Sequence, residues 1–427
     1  MTELTLDEVG KERPRTPTTY SSSLTNSLYI RTIGVTCLIA FVSFWTQAIG
    51  LIGADGIVPV TQTLPGLDKL NLTDVRSLIA HVNVFHWIGT SDLAIHIALL
   101  LGTILSICVS LGRFPRRCLA VIWLLYFSLF RSSQPFLSYQ WDILLLELVF
   151  IAILLRSTDF NGLSNSLHRQ TAIAGIWLLR LVLFKLIWSS GVVKITSHDP
   201  TWQNLTALDF HFWTQPIPHQ GAWYIYQLGP TFRQIGVWIN HFVELAMPWL
   251  FIFSLSRALT LLWVMLATTV MLVYVGDYSI GVTLLIGLIT FFLWAVERGL
   301  KTSFETARWG RKLAGCSVIG LMCSVGATGN YGFFNLLTVG LTLACFSNHD
   351  LKWLPSTLIE YLRLPSSPPK NMVINVGILT MILAVSGVNL MKVAQQTRGS
   401  SHAPSKHTPS SKVEKSTDWW TLNILVH

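Results

Sequence analysis

Long apolar runs separated by short polar links occupy most of the chain between about residues 28 and 391. Runs of about 18 apolar residues are long enough to cross the hydrocarbon core of a bilayer as helices. The strands of a membrane β-barrel alternate polar and apolar residues, and these runs lack that alternation. The pattern therefore predicts an all-α, polytopic membrane helical bundle with about 10–11 transmembrane spans.

The predicted spans are separated by turns or by polar stretches. They lie near residues 30–50, 93–111, 118–131, 141–155, 172–193, 236–254, 258–275, 279–296, 313–328, 333–347 and 372–391. The third, fourth, ninth and tenth of these are short for a bilayer, so one pair of them could be re-entrant. The polar segments 1–27 and 392–427 are expected to be a cytosolic disordered N-terminus and a disordered C-terminal tail.

Composition supports a membrane protein, since 51% of the residues are hydrophobic and only 12% are charged. Soluble domains carry about 25% charged residues. The net charge of +9 does not indicate nucleic-acid binding, because many of the basic residues sit in short links between apolar runs. No cofactor is implied by any motif.

Two basic links predict the orientation of the bundle. "GRFPRR" (112–117) and "ERGLKTSFETARWGRK" (297–312) fall on the same side if every span crosses, and that side is expected to be cytosolic. The loops 53–92 and 194–235 then face the lumen. Both N-glycosylation sequons, at Asn71 and Asn204, fall in these loops, which agrees with the charge rule.

Five ionisable residues lie within predicted spans, where charges are costly and usually find partners. They are Glu147, Arg180, Lys185, His241 and Glu244. Counting the helical rise places the first glutamate, the lysine and the second glutamate at similar depth on consecutive spans. We therefore expect a Glu147–Lys185–Glu244 cluster, with His241 one turn from Glu244. Such a cluster serves either as a structural ion-pair network or as a proton-handling or substrate site.

At the lumenal rim, Asp142 begins one predicted span and Lys194 ends another. We expect the two side chains to meet below the lumenal loop. A desolvated lysine can act as a base, whereas the more frequent use of a lysine at this place is to snorkel to water. No HExxH or similar spacing is present, so a metal site is not expected.

Five ordered motifs resemble the lipase maturation factor family between about Gln47 and Asp350. They are "QAIGLIGADGIVPV", "FLSYQWDILLLELVF", the segment 177–224 around "SGVVKITSHDPTW", "HFVELAMPWL" and "GNYGFFNLLT". The resemblance implies a multi-pass membrane protein of the endoplasmic reticulum that helps secreted proteins fold, with dimeric lipases as clients. The family usually ends in a lumenal C-terminal domain, and this chain stops soon after its last predicted span.

A more distant likeness concerns "SGVVKI" followed by "DPTW". These residues resemble a segment of the vitamin K-dependent gamma-carboxylase, in which a lysine acts as the base. The resemblance puts Lys194 in that role as candidate base, with Asp142 or His211 tuning it. The stretch is short, and likeness at the level of the fold does not carry function.

The leading hypothesis is a non-enzymatic maturation factor that contacts membrane lipid and secreted client proteins. Its client-facing loop would use Asp199, Trp202, Asp209, His211, Gln215 and Pro216. The rival hypothesis is a membrane enzyme on a lipid or quinone-like substrate, with Lys194 as base. A transporter would need stronger internal repeats than this chain has.

Overall fold

The computed structural model describes residues 23–64, 82–156, 166–252 and 304–362, except for residues 198, 216 and 218. Within these ranges the chain is helical and has no strand, which confirms the predicted all-α class. The predicted spans 258–275, 279–296 and 372–391 lie outside the described residues. So do Asn71, Pro216 and the tail 392–427.

The helices fall into two groups along the chain. The first group comprises α1 (Ser23–Trp45), α2 (Ala48–Ile52), α3 (Val60–Thr63), α4 (Phe85–Ile88), α5 (Asp92–Ser110), α6 (Pro115–Ser132) and α7 (Gln140–Arg156). The second comprises α8 (Ser166–Thr196), α9 (Pro200–Gln203), α10 (Ala207–Thr214), α11 (Gln220–Tyr226), α12 (Pro230–Leu245), α13 (Trp249–Ile252), α14 (Phe304–Thr328), α15 (Phe334–Thr342) and α16 (Ser356–Leu362). Short 3-10 helices cover Leu343–Cys345 and Asn348–Leu351.

Four helical segments among the described residues are long and apolar enough to cross a membrane. They are Leu24–Trp45, Asp92–Ser110, Gly175–Thr196 and Pro230–Ile252. These segments match four of the predicted spans and support a polytopic membrane protein. Helices also occupy the predicted spans 118–131, 141–155, 313–328 and 333–347, as α6, α7, α14 and α15.

The first helix begins earlier than the sequence predicted. Residues 23–27, which were assigned to a disordered N-terminus, belong to α1. Their polar side chains suggested a loop, but Thr25, Asn26 and Ser27 are buried. The backbone N–H of Thr25 donates to the side-chain oxygen of Asn348, so the start of α1 is held by a distant part of the chain.

Helix α1 lies at the centre of the core and packs against α5, α7 and α15. Its Tyr29 and Phe41 side chains are almost fully buried. The Tyr29 hydroxyl donates to the carbonyl of Leu148 on α7 at 2.9 Å. A Cβ atom added to Gly102 on α5 would lie 2.3 Å from the Phe41 ring. The glycine therefore lets α1 and α5 approach closely, as small residues do between membrane helices.

The predicted lumenal loop 194–235 is mostly helical. Lys194 belongs to the last turn of α8, and α12 already begins at Pro230. Between them lie α9, α10 and α11. Asp199 caps α9 by accepting from the backbone N–H of Thr201 at 2.9 Å, with Pro200 in the first turn. This cap and proline define a helix start that the sequence-based prediction overlooked.

Candidate functional site

An ion pair between α8 and α12 forms the centre of the candidate site. Lys194 Nζ donates to both carboxylate oxygens of Glu244, each at 2.6 Å. The Lys194 side chain is 20% exposed and the Glu244 side chain is 8% exposed, so the pair is largely removed from solvent. Asn240 Nδ2, one turn before the glutamate, donates to Glu244 Oε2 at 3.0 Å.

Gly191 allows α8 and α12 to come close enough for this pair. A Cβ atom on Gly191 would lie 2.9 Å from Glu244 Cβ and 2.8 Å from Leu245 Cδ2. Those distances are shorter than normal carbon contacts, so any side chain at this position would push the helices apart. The glycine sits one turn before Lys194, and it thereby sets the separation across which the lysine reaches Glu244.

Aromatic side chains surround the lysine. The ammonium of Lys194 lies 5.0 Å from the centre of the Trp202 ring, within cation–π range. The Trp202 ring in turn meets the His241 ring edge-on at 5.7 Å. Nδ1 of His241 is buried and has no hydrogen-bond partner among the described residues.

A cavity of about 270 Å³ opens beside this group. We call it the Lys194 cavity, and its walls include Lys194, Ile195, Trp202, Leu205, Trp238 and His241. Two of its walls belong to the membrane-spanning segments Gly175–Thr196 and Pro230–Ile252. Its size is close to the lower end of the range for small-molecule pockets, about 300–1,000 Å³.

The expected Glu147–Lys185–Glu244 cluster divides into two separate pairs. Lys185 Nζ lies 3.6 Å from Glu147 Oε2, and both of these side chains keep about a third of their exposure. Glu244 pairs with Lys194 instead. Lys185 and Lys194 are nine residues apart on α8, which places them on nearly opposite faces of a helix with about 3.6 residues per turn. They cannot both face the same glutamate.

Arg180 contacts a different part of the chain. Its Nε donates to the carbonyl of Ala344 at 2.9 Å, and its guanidinium lies 5.4 Å from the centre of the Trp177 ring. The arginine thus ties α8 to the 3-10 helix Leu343–Cys345.

The expected contact between Asp142 and Lys194 is also replaced by other partners. Asp142 is 2% exposed, and its Oδ1 accepts from the hydroxyl of Tyr126 on α6 at 2.6 Å. Lys194 is engaged by Glu244. Asp142 therefore links α7 to α6, on a different interface from the Lys194 cavity.

His211 is held against the turn between α14 and α15. Its Nε2 lies 2.6 Å from the hydroxyl oxygen of Tyr331, and the two rings stack with an interplanar angle of 6°. Burial, and then the nearby Lys194 charge, lower the pKa of His211 below its ordinary value. Burial also raises the pKa of Tyr331.

Other polar side chains of the loop are likewise used to hold it in place. Gln215 Nε2 donates to the carbonyl of Thr328 at the end of α14, at 2.9 Å. Asp209 forms an ion pair with Arg233, whose Nη1 donates to the carbonyl of Tyr226 at 2.6 Å. Arg233 and Tyr331, which the sequence-based prediction did not select, are thus essential to the loop's position. Tyr331 lies in the motif "GNYGFFNLLT", but no local signal pairs it with His211, which lies 120 residues earlier in the chain.

Apolar side chains of the same loop remain exposed. We call them the apolar platform; they are Phe210, Trp213, Ile217, Trp223, Tyr224 and Leu228. Trp213, for example, is 63% exposed. Asn204, at the end of α9, is exposed as well, as an acceptor of a glycan must be. Of the six residues expected to face clients, five have partners inside the molecule and the sixth, Pro216, lies outside the described ranges. The sequence-based prediction did not include the platform residues.

Comparison with known proteins identifies related chains. Residues 24–298 match the family described as "Lipase maturation factor transmembrane domain". The chain is 33% identical to "Lipase maturation factor 2" of Gallus gallus over 63% of its own length and 37% of the relative's. It is 32% identical to the Mus musculus protein of that name, over 84% of its length and 45% of the relative's.

A third relative is "Lipase maturation factor 1" of Homo sapiens, which is 29% identical over 55% of this chain and 42% of the relative. The chain therefore spans less than half the length of these curated relatives. No solved structure matches it.

Proposed function

Since the chain belongs to the lipase maturation factor family, we propose that it is a multi-pass membrane protein of the endoplasmic reticulum that assists the folding and assembly of secreted proteins. The names of its relatives support lipases as the clients. The proposal concerns the membrane part that this chain shares with them.

The apolar platform supports a role in binding incompletely folded proteins. Large exposed apolar groups on a soluble surface usually mark an interaction site. Folding intermediates expose apolar side chains transiently, and aromatic residues provide large contact areas at low entropic cost. Trp213 and Trp223 are the largest side chains of the platform, and both are more than half exposed.

The polar residues of the loop then act as supports rather than as contacts. Asp209 fixes α10 to α12. His211 and Gln215 fix the end of α10 to the turn after α14 and to the last residue of α14. A platform that is already ordered loses less conformational entropy when a client binds. This assignment differs from the sequence-based hypothesis, in which these polar residues faced the client.

The test is capture and secretion of a lipase by the full chain. Trp213→Ala combined with Trp223→Ala should reduce co-purification of an epitope-tagged dimeric lipase, and its secreted activity, by about tenfold or more, the effect of losing interfacial tryptophans. Trp353→Ala is the matched control, because Trp353 is 77% exposed but lies after the second 3-10 helix. Equal capture by the double variant and the control would reject the platform.

A second candidate function is a membrane enzyme on a lipid or quinone-like substrate, supported by the cavity beside Lys194. A base must release its proton, and arginine keeps its charge under all ordinary conditions. Both oxygens of Glu244 already accept from this ammonium, and for that reason we favour the maturation role. Full activity of a Lys194→Arg variant would end the enzymatic hypothesis, whereas loss of activity together with normal lipase capture would support it.

A further inference from the structure

We propose that the Lys194 cavity binds one acyl chain of a glycerolipid, with the ester carbonyl of that chain accepting a hydrogen bond from Lys194. The proposal concerns binding alone and goes beyond the maturation function. It rests on the depth, the lining and the charge balance of the cavity.

The end of the cavity that holds Lys194 lies at the depth of a lipid ester, while His241, at the middle of the segment Pro230–Ile252, lines its deeper part. Lys194 lies two residues before the end of the membrane-spanning segment Gly175–Thr196. The end of a span lies where the hydrocarbon core meets the headgroup region. The ester groups of glycerolipids lie at this same boundary, so the ammonium and the carbonyl occupy the same layer of the membrane.

The lining of the cavity suits an acyl chain. Ile195, Leu205, Trp202 and Trp238 contribute aliphatic and aromatic surface to its walls. Trp238 belongs to a segment long and apolar enough to span a membrane and is 62% exposed, so this wall is open to the outside of the protein and a lipid chain can reach it. A volume of about 270 Å³ accommodates part of one chain rather than an entire lipid.

The charge balance favours a neutral acceptor over an anion. An ammonium carries three N–H groups, and two hydrogen bonds go to Glu244. One donor therefore remains for a ligand. The carboxylate cancels the charge of Lys194 and would repel a phosphate or a free fatty acid brought against the same pair. An ester carbonyl can accept the remaining hydrogen bond of Lys194, and because it is neutral it is not repelled by the Glu244 carboxylate.

The first experiment maps the contact. The full chain is reconstituted in lipid nanodiscs that contain phosphatidylcholine with a diazirine in one acyl chain, and the labelled peptides are identified by mass spectrometry. We expect enriched labelling of the peptides that contain Ile195, Leu205 and Trp238. Ile195→Phe fills the cavity and should remove this enrichment. Leu181→Phe is the matched control, since Leu181 is also an exposed apolar residue on α8, and it should leave the enrichment intact.

The second experiment tests the carbonyl. Unlabelled diester phosphatidylcholine should compete about tenfold better than its diether analogue, the change expected from one lost hydrogen bond to a charged group. Lys194→Met with Glu244→Gln should abolish this preference. The matched pair change Lys185→Met with Glu147→Gln should retain it, because that pair lies on the other face of α8.

Three results would overturn the proposal. They are labelling spread evenly over all membrane-facing peptides, unchanged labelling of Ile195→Phe, and equal competition by diester and diether lipids. None of these measurements uses a lipase, so a failure here is distinguishable from a failure of the maturation function.

Discussion

Removal of Lys194 alone should destabilise the protein far more than removal of the whole ion pair. Lys194→Met leaves the Glu244 carboxylate, with a side chain only 8% exposed, without its cation. Breaking a buried pair in this way costs about 3–5 kcal/mol. Asn240 still donates to Glu244 at 3.0 Å, so we expect a value near the lower end of that range, about 3 kcal/mol.

The double change Lys194→Met with Glu244→Met removes both charges and keeps apolar volume at the α8–α12 contact. Replacing a buried pair by apolar side chains of similar size is close to neutral, so we expect a cost of about 1 kcal/mol or less. The two single changes and the double change together form a thermodynamic cycle. Its coupling energy should be about 2 kcal/mol or more.

The assay is denaturant unfolding of the full chain in detergent micelles, followed by tryptophan fluorescence, with the free energy taken from linear extrapolation. The built-in control is Lys185→Met. The Lys185–Glu147 pair has a longer contact of 3.6 Å and side chains about a third exposed, so this change leaves a less buried carboxylate and should cost less than Lys194→Met. If the Lys194 single and double changes cost the same, or if Lys185→Met costs as much as Lys194→Met, the buried-pair argument is refuted.

Further predictions concern the loop and its supports. The pKa of His211 is lowered in the folded protein from its ordinary 6.5, so the unfolded chain binds the proton more readily. The contribution of this histidine to stability should be complete above pH 6.5 and decline as the pH falls below it. In melting experiments at different pH values, a His211→Gln variant should show a flatter decline. Gly191→Ala should lower the melting temperature because its Cβ would collide with α12, whereas Gly320→Ala, which meets no atom within 4 Å, should not. Asn204→Gln should abolish a glycosidase-sensitive shift in electrophoretic mobility; a wild-type chain without such a shift would argue against the lumenal side for this loop.

The sequence predicted the fold well because apolar runs of membrane length leave few alternatives to helices. It was less informative at the edges of helices. Thr25, Asn26 and Ser27 suggested a polar tail, whereas all three are buried in α1, and the backbone N–H of Thr25 donates to the distant Asn348. The cap formed by Asp199 and Pro200, by contrast, is a local signal that the sequence does contain.

The partners of the charged residues in the site could be predicted only in part from the sequence. Depth along the helices placed Glu147, Lys185 and Glu244 at one level, but it neglected the direction in which each side chain points. Of the three, Lys185 and Glu244 lie in described segments that are long and apolar enough to span a membrane. The nine-residue separation of Lys185 and Lys194 was available in the sequence and excludes a shared partner. The choice of Glu244 for Lys194 depends on the close helix approach at Gly191, which no sequence pattern specifies.

The attachment of the loop to the α14–α15 turn bears on how this protein can be divided. The segment that matches the family ends at residue 298, before α14 begins. Tyr331 and Thr328, the anchors of His211 and Gln215, lie beyond that point. A recombinant fragment cut at the family boundary would carry the tryptophans of the loop without the structure that braces them. Expression of this region for biochemical work should therefore extend through α15.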